Sequence, residues 1–233
     1  MSDNLNIQIA GENALIIYFS EQLSHDCSAT VQQAELLIRT KLADDIVDLV
    51  PSYGSILVMF NMLDIDHHQL RNKLRSLLSQ LSSSKTTKGR LVKLPVFYST
   101  QSGPDLLRIA QHAKLSIEDV IQIHQAQEYH VYAIGFAPGF AYLGDVDSRI
   151  AMPRLSTPRQ AVPRGAVAIA DRQTAVYPSI SPGGWNIIGL CPQRMFDANA
   201  KETMPVNVGD RVKFESIAEE AFYALGGEIG VVK

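Results

Sequence analysis

The chain has few residues of the kinds that form disulfide frameworks and metal centres. It contains 2 cysteines in 233 residues, and Cys27 and Cys191 lie too far apart to form a C-x-x-C pair. None of the 6 histidines stands in an H-E-x-x-H spacing. The sequence therefore indicates neither a disulfide framework nor a zinc site, and we expect both cysteines to be small buried hydrophobic residues.

Long apolar segments are also missing. The apolar run at 14–19 is far shorter than the roughly 20 residues that a bilayer span requires. No Lys or Arg precedes Arg39, so the basic region that opens a signal peptide is absent. These absences favour a cytoplasmic protein without membrane contact, and an apolar content of 46% is ample for a packed core.

Signatures of several enzyme and binding classes are absent as well. Neither a Walker P-loop nor a G-x-S-x-G elbow occurs. The two helices expected at 105–126 have the spacing of a DNA-binding pair, but the second starts with Glu118 and Asp119 and contains no Lys or Arg. Such a helix would repel phosphates, so we expect a helical hairpin packed on the second domain and no binding to nucleic acid.

The pattern of apolar residues divides the chain into two domains. In residues 1–84, strand-like segments alternate with two amphipathic helices, the second carrying leucines from Leu70 to Leu81, which is typical of a small α+β sandwich. The segment 82–89 has no apolar residue, and we place the linker at 85–89. Residues 90–233 begin with a predicted strand and two helices, and a Ser116–Asp119 capping box opens the second helix. The part that follows contains 8 of the 11 prolines, and this favours a β-barrel or sandwich.

Three Pro-Arg pairs at a five-residue period are the most informative feature of the second domain. They end at Arg154, Arg159 and Arg164, and the segment 149–196 holds six arginines against one acid although the whole chain carries a net charge of −3. Proline fixes φ and biases the preceding residue toward extended geometry, so the arginines are expected on a stiff ribbon. Such a surface suits a carboxylate, a phosphate or an acidic partner.

Two aromatic segments flank these pairs. The glycine-rich stretch 135–144 contains Phe136 and Phe140 and allows close approach of its backbone to a ligand. Its alternative is a barrel corner whose aromatic rings are core. Trp185 is the single tryptophan of the chain. Three roles are open to it: a wall of a small-molecule pocket, an anchor for a partner, or a core residue.

Three polar positions are further candidates. Gln173 and Tyr177 lie four residues apart, so a strand would place them on the same face, where they could converge on a ligand. His124 lies on the helix that leads into the glycine-rich stretch. It either projects into a site or is a satisfied, half-buried helix histidine.

Taken together, these segments resemble the family formed by the B-type subunit of bacterial 5-oxoprolinase. The matching positions are Gly135-Phe136, Pro138-Gly139-Phe140, Tyr142-Leu143-Gly144, Pro158-Arg159, Val162-Pro163, Gln173-Thr174, Tyr177-Pro178 and Pro182-Gly183-Gly184-Trp185. The resemblance covers nearly all of the chain. The family includes the Kip-type inhibitors of a sporulation histidine kinase and is similar to one half of the carboxyltransferase part of urea carboxylase.

The resemblance implies a small N-terminal α+β domain followed by a cyclophilin-like β-barrel. It also implies two partners, a C-type subunit of related fold and a separate A-type subunit, which together with the B-type subunit open 5-oxo-L-proline to L-glutamate with hydrolysis of ATP. ATP, with Mg²⁺, would be bound by the complex. A five-membered lactam is a poor acyl donor, and phosphorylation of its carbonyl oxygen would create a leaving group. Such a step needs cationic stabilisation and positioning. The implied catalytic residues are Arg154, Arg159 and His124, and the implied substrate-binding residues are Phe136, Pro138, Gly139, Gln173, Thr174, Tyr177 and Trp185.

The sequence departs from the family at a few positions. Arg164 stands where the family carries a small residue, so we expect it to face solvent or a partner. The family usually has glycine near Asp171 and Ala175, and its absence there puts a tight backbone approach near Gln173 in doubt.

Two functions remain open from the sequence. The first is a subunit of an ATP-dependent 5-oxoprolinase that is inactive alone, and the second is a regulator that binds and inhibits a sensor histidine kinase. A weaker third, prolyl isomerase activity, would rest on fold analogy alone.

Overall fold

The computed structural model of the chain describes residues 5–20, 25–79, 81 and 89–230. The chain divides into two compact units, Met1–Lys88 and Gly89–Lys233. The linker predicted at 85–89 lies, apart from Gly89, outside the described residues.

The described part of the N-terminal unit is a four-stranded antiparallel sheet with two helices on one face. The strands are β1 (Asn6–Ile9), β2 (Ala14–Tyr18), β3 (Ile46–Pro51) and β4 (Ser55–Phe60), in the order β1-β2-β4-β3. The helices are α1 (His25–Lys41) and α2 (His67–Leu78). Alternate strand residues and one stripe of each helix share a core that includes Leu15, Ile17, Val58, Ile38 and Leu74. Helix α2 ends at Leu78, before the predicted Leu81, and Leu81 packs against this core from beyond the helix.

The C-terminal unit is mainly β. Its strands are β5 (Leu91–Val96), β6 (Tyr129–Ile134), β7 (Ala141–Gly144), β8 (Arg159–Val162), β9 (Ala166–Ala170), β10 (Gln173–Val176), β11 (Ser181–Gly183), β12 (Asn186–Leu190) and β13 (Arg211–Ser216), and its helices are α3 (Leu106–Ala113), α4 (Ile117–Ala126) and α5 (Glu219–Ala224). Seven strands form one sheet in the order β12-β9-β10-β7-β6-β13-β5, and β8 pairs with β11 in a separate ribbon.

The seven-stranded sheet closes almost completely into a barrel. Phe97, directly after β5, exchanges two backbone hydrogen bonds with Leu190 at the end of β12, with N···O distances of 2.8 and 3.0 Å. This bridge joins the two outer strands and satisfies backbone groups that a sheet edge would leave unpaired. The predicted α+β unit followed by a mainly-β barrel is confirmed.

Strand β9 sorts its residues by size between the two faces of the barrel wall. Val167 and Ile169 belong to the interior core, together with Leu143, Ile188 and Phe214. The alternate residues Ala166, Ala168 and Ala170 belong to a second cluster, with Phe140, Tyr177 and Trp185. Because alanine occupies little volume, the outer face of β9 leaves room for large aromatic rings.

Helices α3 and α4 form a hairpin that packs on the barrel, as predicted. Leu106, Ile109 and Val120 contribute its buried side to the interior core. The predicted capping box of α4 is also confirmed, since Ser116 Oγ accepts from the amide of Asp119 at 3.0 Å and Asp119 Oδ2 accepts from the amide of Ser116 at 3.2 Å. No helix of the described residues is long and apolar enough to cross a membrane.

Gly103 lies where the chain before α3 passes closest to β12. A Cβ at this position would overlap the backbone of Ile188. We expect Gly103→Ala to lower the free energy of unfolding by about 1–3 kcal/mol, the usual cost of forcing extra atoms into a packed region. Urea unfolding followed by the fluorescence of Trp185 measures the effect.

Gly135→Ala is the matched control, because no heavy atom lies within 4 Å of the Cβ position of Gly135. Equal unfolding midpoints for the two variants would contradict the close approach at Gly103.

Candidate functional site

The three Pro-Arg pairs lie on a ribbon against the outside of the barrel. We call residues 153–164 the ribbon; its strand β8 pairs antiparallel with β11, with Val162 opposite Ser181 and Arg159 opposite Gly183. Ahead of β8, the amide of Leu155 donates to the carbonyl oxygen of Gly184 at 2.7 Å. The extended ribbon that proline predicts is therefore present.

An aromatic cluster lies next to the ribbon on the outer barrel face. We define it as Phe136, Phe140, Tyr142, Tyr177 and Trp185. Phe140 is its centre, with ring centroids 5.3 Å from Phe136, 4.9 Å from Tyr142, 5.3 Å from Tyr177 and 5.7 Å from Trp185. All four contacts are edge-to-face, the favourable geometry for aromatic quadrupoles.

The glycine-rich loop presents part of this cluster to solvent. Phe136 has φ +71° and is 67% exposed, and Pro138 is also exposed. Gly139 has φ +84°, and a Cβ there would overlap the carbonyl group of Met195. A phenylalanine in the left-handed region is strained, and such strain is concentrated at functional sites. The exposed ring of Phe136 is therefore a candidate for contact with a ligand or a partner.

Two of the three ribbon arginines converge on Trp185. The guanidinium carbon of Arg154 lies 5.8 Å from the centroid of the indole ring, a cation–π contact. Arg159 Nη1 donates to the carbonyl oxygen of Trp185 at 3.4 Å. Arg154 is exposed and has no acidic partner among the described residues, so its charge faces outward uncompensated.

Arg159 is held by an acid that the sequence did not single out. Its Nη2 lies 2.9 Å from Oδ1 of Asp105, and the two side chains are 18% and 8% exposed. The guanidinium is therefore already neutralised inside the chain, so the structure places Arg159 as an anchor of the ribbon.

Arg164 has different surroundings from Arg154 and Arg159. It lines a cavity of about 650 Å³ together with Arg194, Asp197, Glu202 and Glu228. None of the residues predicted for substrate binding or catalysis lines this cavity. Burial raises the pKa of the nearby Cys191 thiol to about 12, so that cysteine stays protonated and unreactive.

Tyr177 lies between the two arginines and the aromatic rings. Burial raises the pKa of its phenol, while the amide of Trp185, which donates to its oxygen, and the charges of Arg154 and Arg159 oppose the rise. The side chain is 2% exposed. Tyr177 is therefore a neutral wall of the site that both guanidinium groups influence.

Gln173 and Thr174 are neighbours in strand β10 and lie on opposite faces of the barrel wall. Gln173 pairs with Gly144 of β7 and Ala170 of β9, and strand alternation puts it on the outer face with Tyr177, as predicted. Thr174 is fully buried and faces the interior. It therefore lies behind the barrel wall, away from the ribbon arginines, and does not join the predicted substrate pocket.

His124 lies in the interior core, 0% exposed, with its ring stacked on Phe214 at 4.7 Å. Its Nδ1 is 2.8 Å from Tyr98 Oη, and its Nε2 is 3.0 Å from Thr174 Oγ1. The Thr174 hydroxyl already donates to the carbonyl oxygen of Ala168 at 3.0 Å, so it accepts from Nε2–H and Tyr98 donates to Nδ1. Burial lowers the pKa of His124 from 6.5 to about 3. The ring of His124 is therefore enclosed and neutral, and it does not lie on the surface that Arg154 and Trp185 form. The role as catalytic acid or base stays a prediction.

Comparison with known proteins supplies the family. Residues 5–206 match the carboxyltransferase domain family, subdomain C and D. The chain is 34% identical to the B-type subunit of 5-oxoprolinase from Bacillus subtilis (strain 168) over an alignment of 238 positions, gaps included, which covers 98% of this chain and 99% of that protein. It is 31% identical to the B-type subunit of 5-oxoprolinase from Escherichia coli O157:H7 over an alignment of 208 positions, which covers 88% of this chain and 93% of that protein. The chain belongs to this family of 5-oxoprolinase subunits.

Solved structures share the fold of this family member. The crystal structure of TTHA0988 superposes with a TM-score of 0.79 at 30% identity over 94% of this chain, which spans only 41% of the TTHA0988 chain. PH0987 from Pyrococcus horikoshii, 40% identical, has a TM-score of 0.56 and is covered completely. The urea carboxylase of Kluyveromyces lactis, 17% identical with a TM-score of 0.73, shares the fold.

The burial of His124 predicts a specific dependence of stability on pH. The folded chain keeps His124 neutral down to about pH 3, while the unfolded chain takes up this proton near 6.5. The unfolded state therefore binds more protons in this window, and the free energy of unfolding falls with pH below 6.5, by about 1.4 kcal/mol per unit for one proton. Urea unfolding of the wild type and His124→Gln at about pH 7.5 and about pH 5.5 measures this loss.

We expect His124→Gln to lose less stability on acidification than the wild type. His112→Gln, at an exposed position, is the control and should lose as much as the wild type. Equal losses in the wild type and His124→Gln would contradict a neutral, buried His124.

Proposed function

We propose that this chain is the B-type subunit of an ATP-dependent 5-oxoprolinase, which converts 5-oxo-L-proline to L-glutamate together with its A-type and C-type subunits. The likeness to a protein of that name over 98% of this chain and 99% of the relative supports it most directly. The convergence of Arg154, Trp185 and the loop at 135–140 on one surface adds a physical reason.

The chemical groups of this surface suit the substrate. 5-Oxoproline carries one carboxylate and one flat five-membered lactam. The Arg154 guanidinium matches a carboxylate in charge and geometry, and the edges of the aromatic cluster match a flat ring. Gln173, on the same barrel face, brings an amide that can donate and accept hydrogen bonds.

The same surface binds and orients but holds few groups for proton transfer. Its residues are a guanidinium that stays charged, aromatic rings and a partly exposed amide, whereas His124 is enclosed in the core. We therefore assign the catalytic base, and the site for ATP with Mg²⁺, to the complex, and expect the isolated chain to be inactive. TTHA0988 supports a partner, because there the matched part is continuous with a longer remainder of one chain.

Hydrolysis of ATP with a small metabolite fits a cytoplasmic location, which we propose for the complex. Inhibition of a sensor histidine kinase is the alternative function. Both relatives described above, from Bacillus subtilis and Escherichia coli, are named as this subunit of 5-oxoprolinase, so we favour the hydrolase.

Reconstitution tests the proposed function. We expect the chain alone to release no glutamate from 5-oxoproline and ATP, and the chain mixed with the A-type and C-type subunits of the same organism to do so. Glutamate detection and ATP hydrolysis measured together check the coupling. Glutamate release by the isolated chain would contradict a divided site, and no turnover in the full mixture would favour the kinase inhibitor.

Substitution of Arg154 tests the placement of the substrate. Loss of a hydrogen bond to a charged group costs about 1.5–3 kcal/mol, so Arg154→Ala should raise KM for 5-oxoproline about 10- to 100-fold with a smaller effect on kcat. Arg39→Ala, which removes an arginine paired with Glu35 on α1, is the control and should leave KM unchanged. An unaltered KM in Arg154→Ala would remove Arg154 from the site.

A further inference from the structure

We propose that Asp105, Arg108 and Asn186 form a latch that fixes the ribbon over the barrel wall and so positions Arg154 on Trp185. None of these three residues stands out in the sequence. They are positioning residues, since each acts on Arg154 through the ribbon. The consequence for turnover rests on the proposed function, while the structural consequence does not.

Asp105 uses both of its carboxylate oxygens to join three elements. Oδ1 accepts from Arg159 Nη2 on the ribbon at 2.9 Å, and Oδ2 accepts from the amide of Ile187 on β12 at 2.7 Å. The amide of Asp105 also donates to the carbonyl oxygen of Ile187 at 3.0 Å. One side chain therefore ties the start of α3 to the barrel wall and to the ribbon.

Asp105 gives up its usual local role to do this. It is the N-cap residue of α3, where an aspartate normally accepts a hydrogen bond from an amide of the first turn. Here the side chain makes no capping hydrogen bond. Its carboxylate points instead to a cation on the ribbon and to a strand of the barrel.

Asn186 holds the other end of the ribbon. It is 0% exposed, and its Nδ2 donates to the carbonyl oxygens of Pro153 and Ile169 at 3.0 Å each. Its Oδ1 accepts from Arg108 Nη1 at 2.8 Å, which fixes the orientation of the amide. Because Pro153 immediately precedes Arg154, Asn186 fixes the peptide group that aims this arginine.

The ribbon needs such support. Strands β8 and β11 have four and three residues, and a two-stranded ribbon is marginal by itself in water. The Arg159–Asp105 pair is mostly enclosed, so removal of one partner leaves an uncompensated charge in a poorly solvated place. We expect the ribbon to shift when the latch is broken, and Arg154 to leave the indole.

Trp185 reports on the latch without any substrate or partner. It is the single tryptophan of the chain, it is 5% exposed, and it lies beneath Arg154. We expect Arg159→Met, Asp105→Asn and Arg108→Met to shift its fluorescence emission to the red and to raise its quenching by acrylamide, in the direction of Arg154→Ala. Arg159→Lys, which keeps a cation near Asp105, should restore much of the wild-type spectrum.

Lys93→Met is the matched control. It removes an ion pair with Glu215 in the same unit whose side chains are 60% and 45% exposed. We expect wild-type emission and quenching from this variant. Circular dichroism identifies variants that fail to fold, and Arg159→Met, at a partly exposed ribbon position, serves if Asp105→Asn is among them.

Kinetics of the reconstituted complex give the second readout. The latch variants should raise KM for 5-oxoproline by about the same factor as Arg154→Ala while binding the C-type subunit normally. Folded Arg159→Met and Arg108→Met with unchanged Trp185 emission and quenching would overturn the latch. Altered fluorescence without turnover in any wild-type mixture would instead support the latch and overturn the proposed function.

Discussion

The division of β9 into large inner and small outer side chains is the constraint on which the rest of the C-terminal unit depends. Val167 and Ile169 fill the barrel, and the alanines between them leave a shallow outer surface. Phe140 and Trp185 can pack on that surface only because no larger side chain occupies it. A substitution that enlarged an outer alanine would displace the aromatic cluster although it left the barrel interior intact.

The three arginines of the ribbon contribute unequally to the charge of the site, because their surroundings differ. Arg159 is neutralised by Asp105, Arg164 lies among acids around a cavity, and Arg154 alone of the three keeps an open charge over an indole ring. Within the described part of the chain, Arg154 is therefore the ribbon cation that lies over the aromatic cluster without an acidic partner. A single directed guanidinium on a rigid support matches one carboxylate, which agrees with a small carboxylate substrate.

The sequence predicts local features well. The capping box of α4, the extended ribbon and the shared face of Gln173 and Tyr177 depend on neighbours within a few residues, and each is present. The family motifs lead to Trp185 and the loop around Phe136. By contrast, Asp105 follows Pro104 and suggests an ordinary helix start, because its partner Arg159 lies 54 residues away. The enclosure of His124 escapes the sequence for a similar reason: helical periodicity cannot tell that the ring faces the interior, where Thr174 and Tyr98 hydrogen-bond to it.

The position of the substrate on this chain is the central claim, and one measurement tests it most directly. The chain is labelled at its single tryptophan, Trp185, with 5-fluorotryptophan and assembled with unlabelled A-type and C-type subunits, and its ¹⁹F resonance is followed as 5-oxoproline is added. We predict a saturable shift of this resonance that Arg154→Ala weakens. An unchanged resonance in a complex that turns over 5-oxoproline would show that the substrate binds elsewhere.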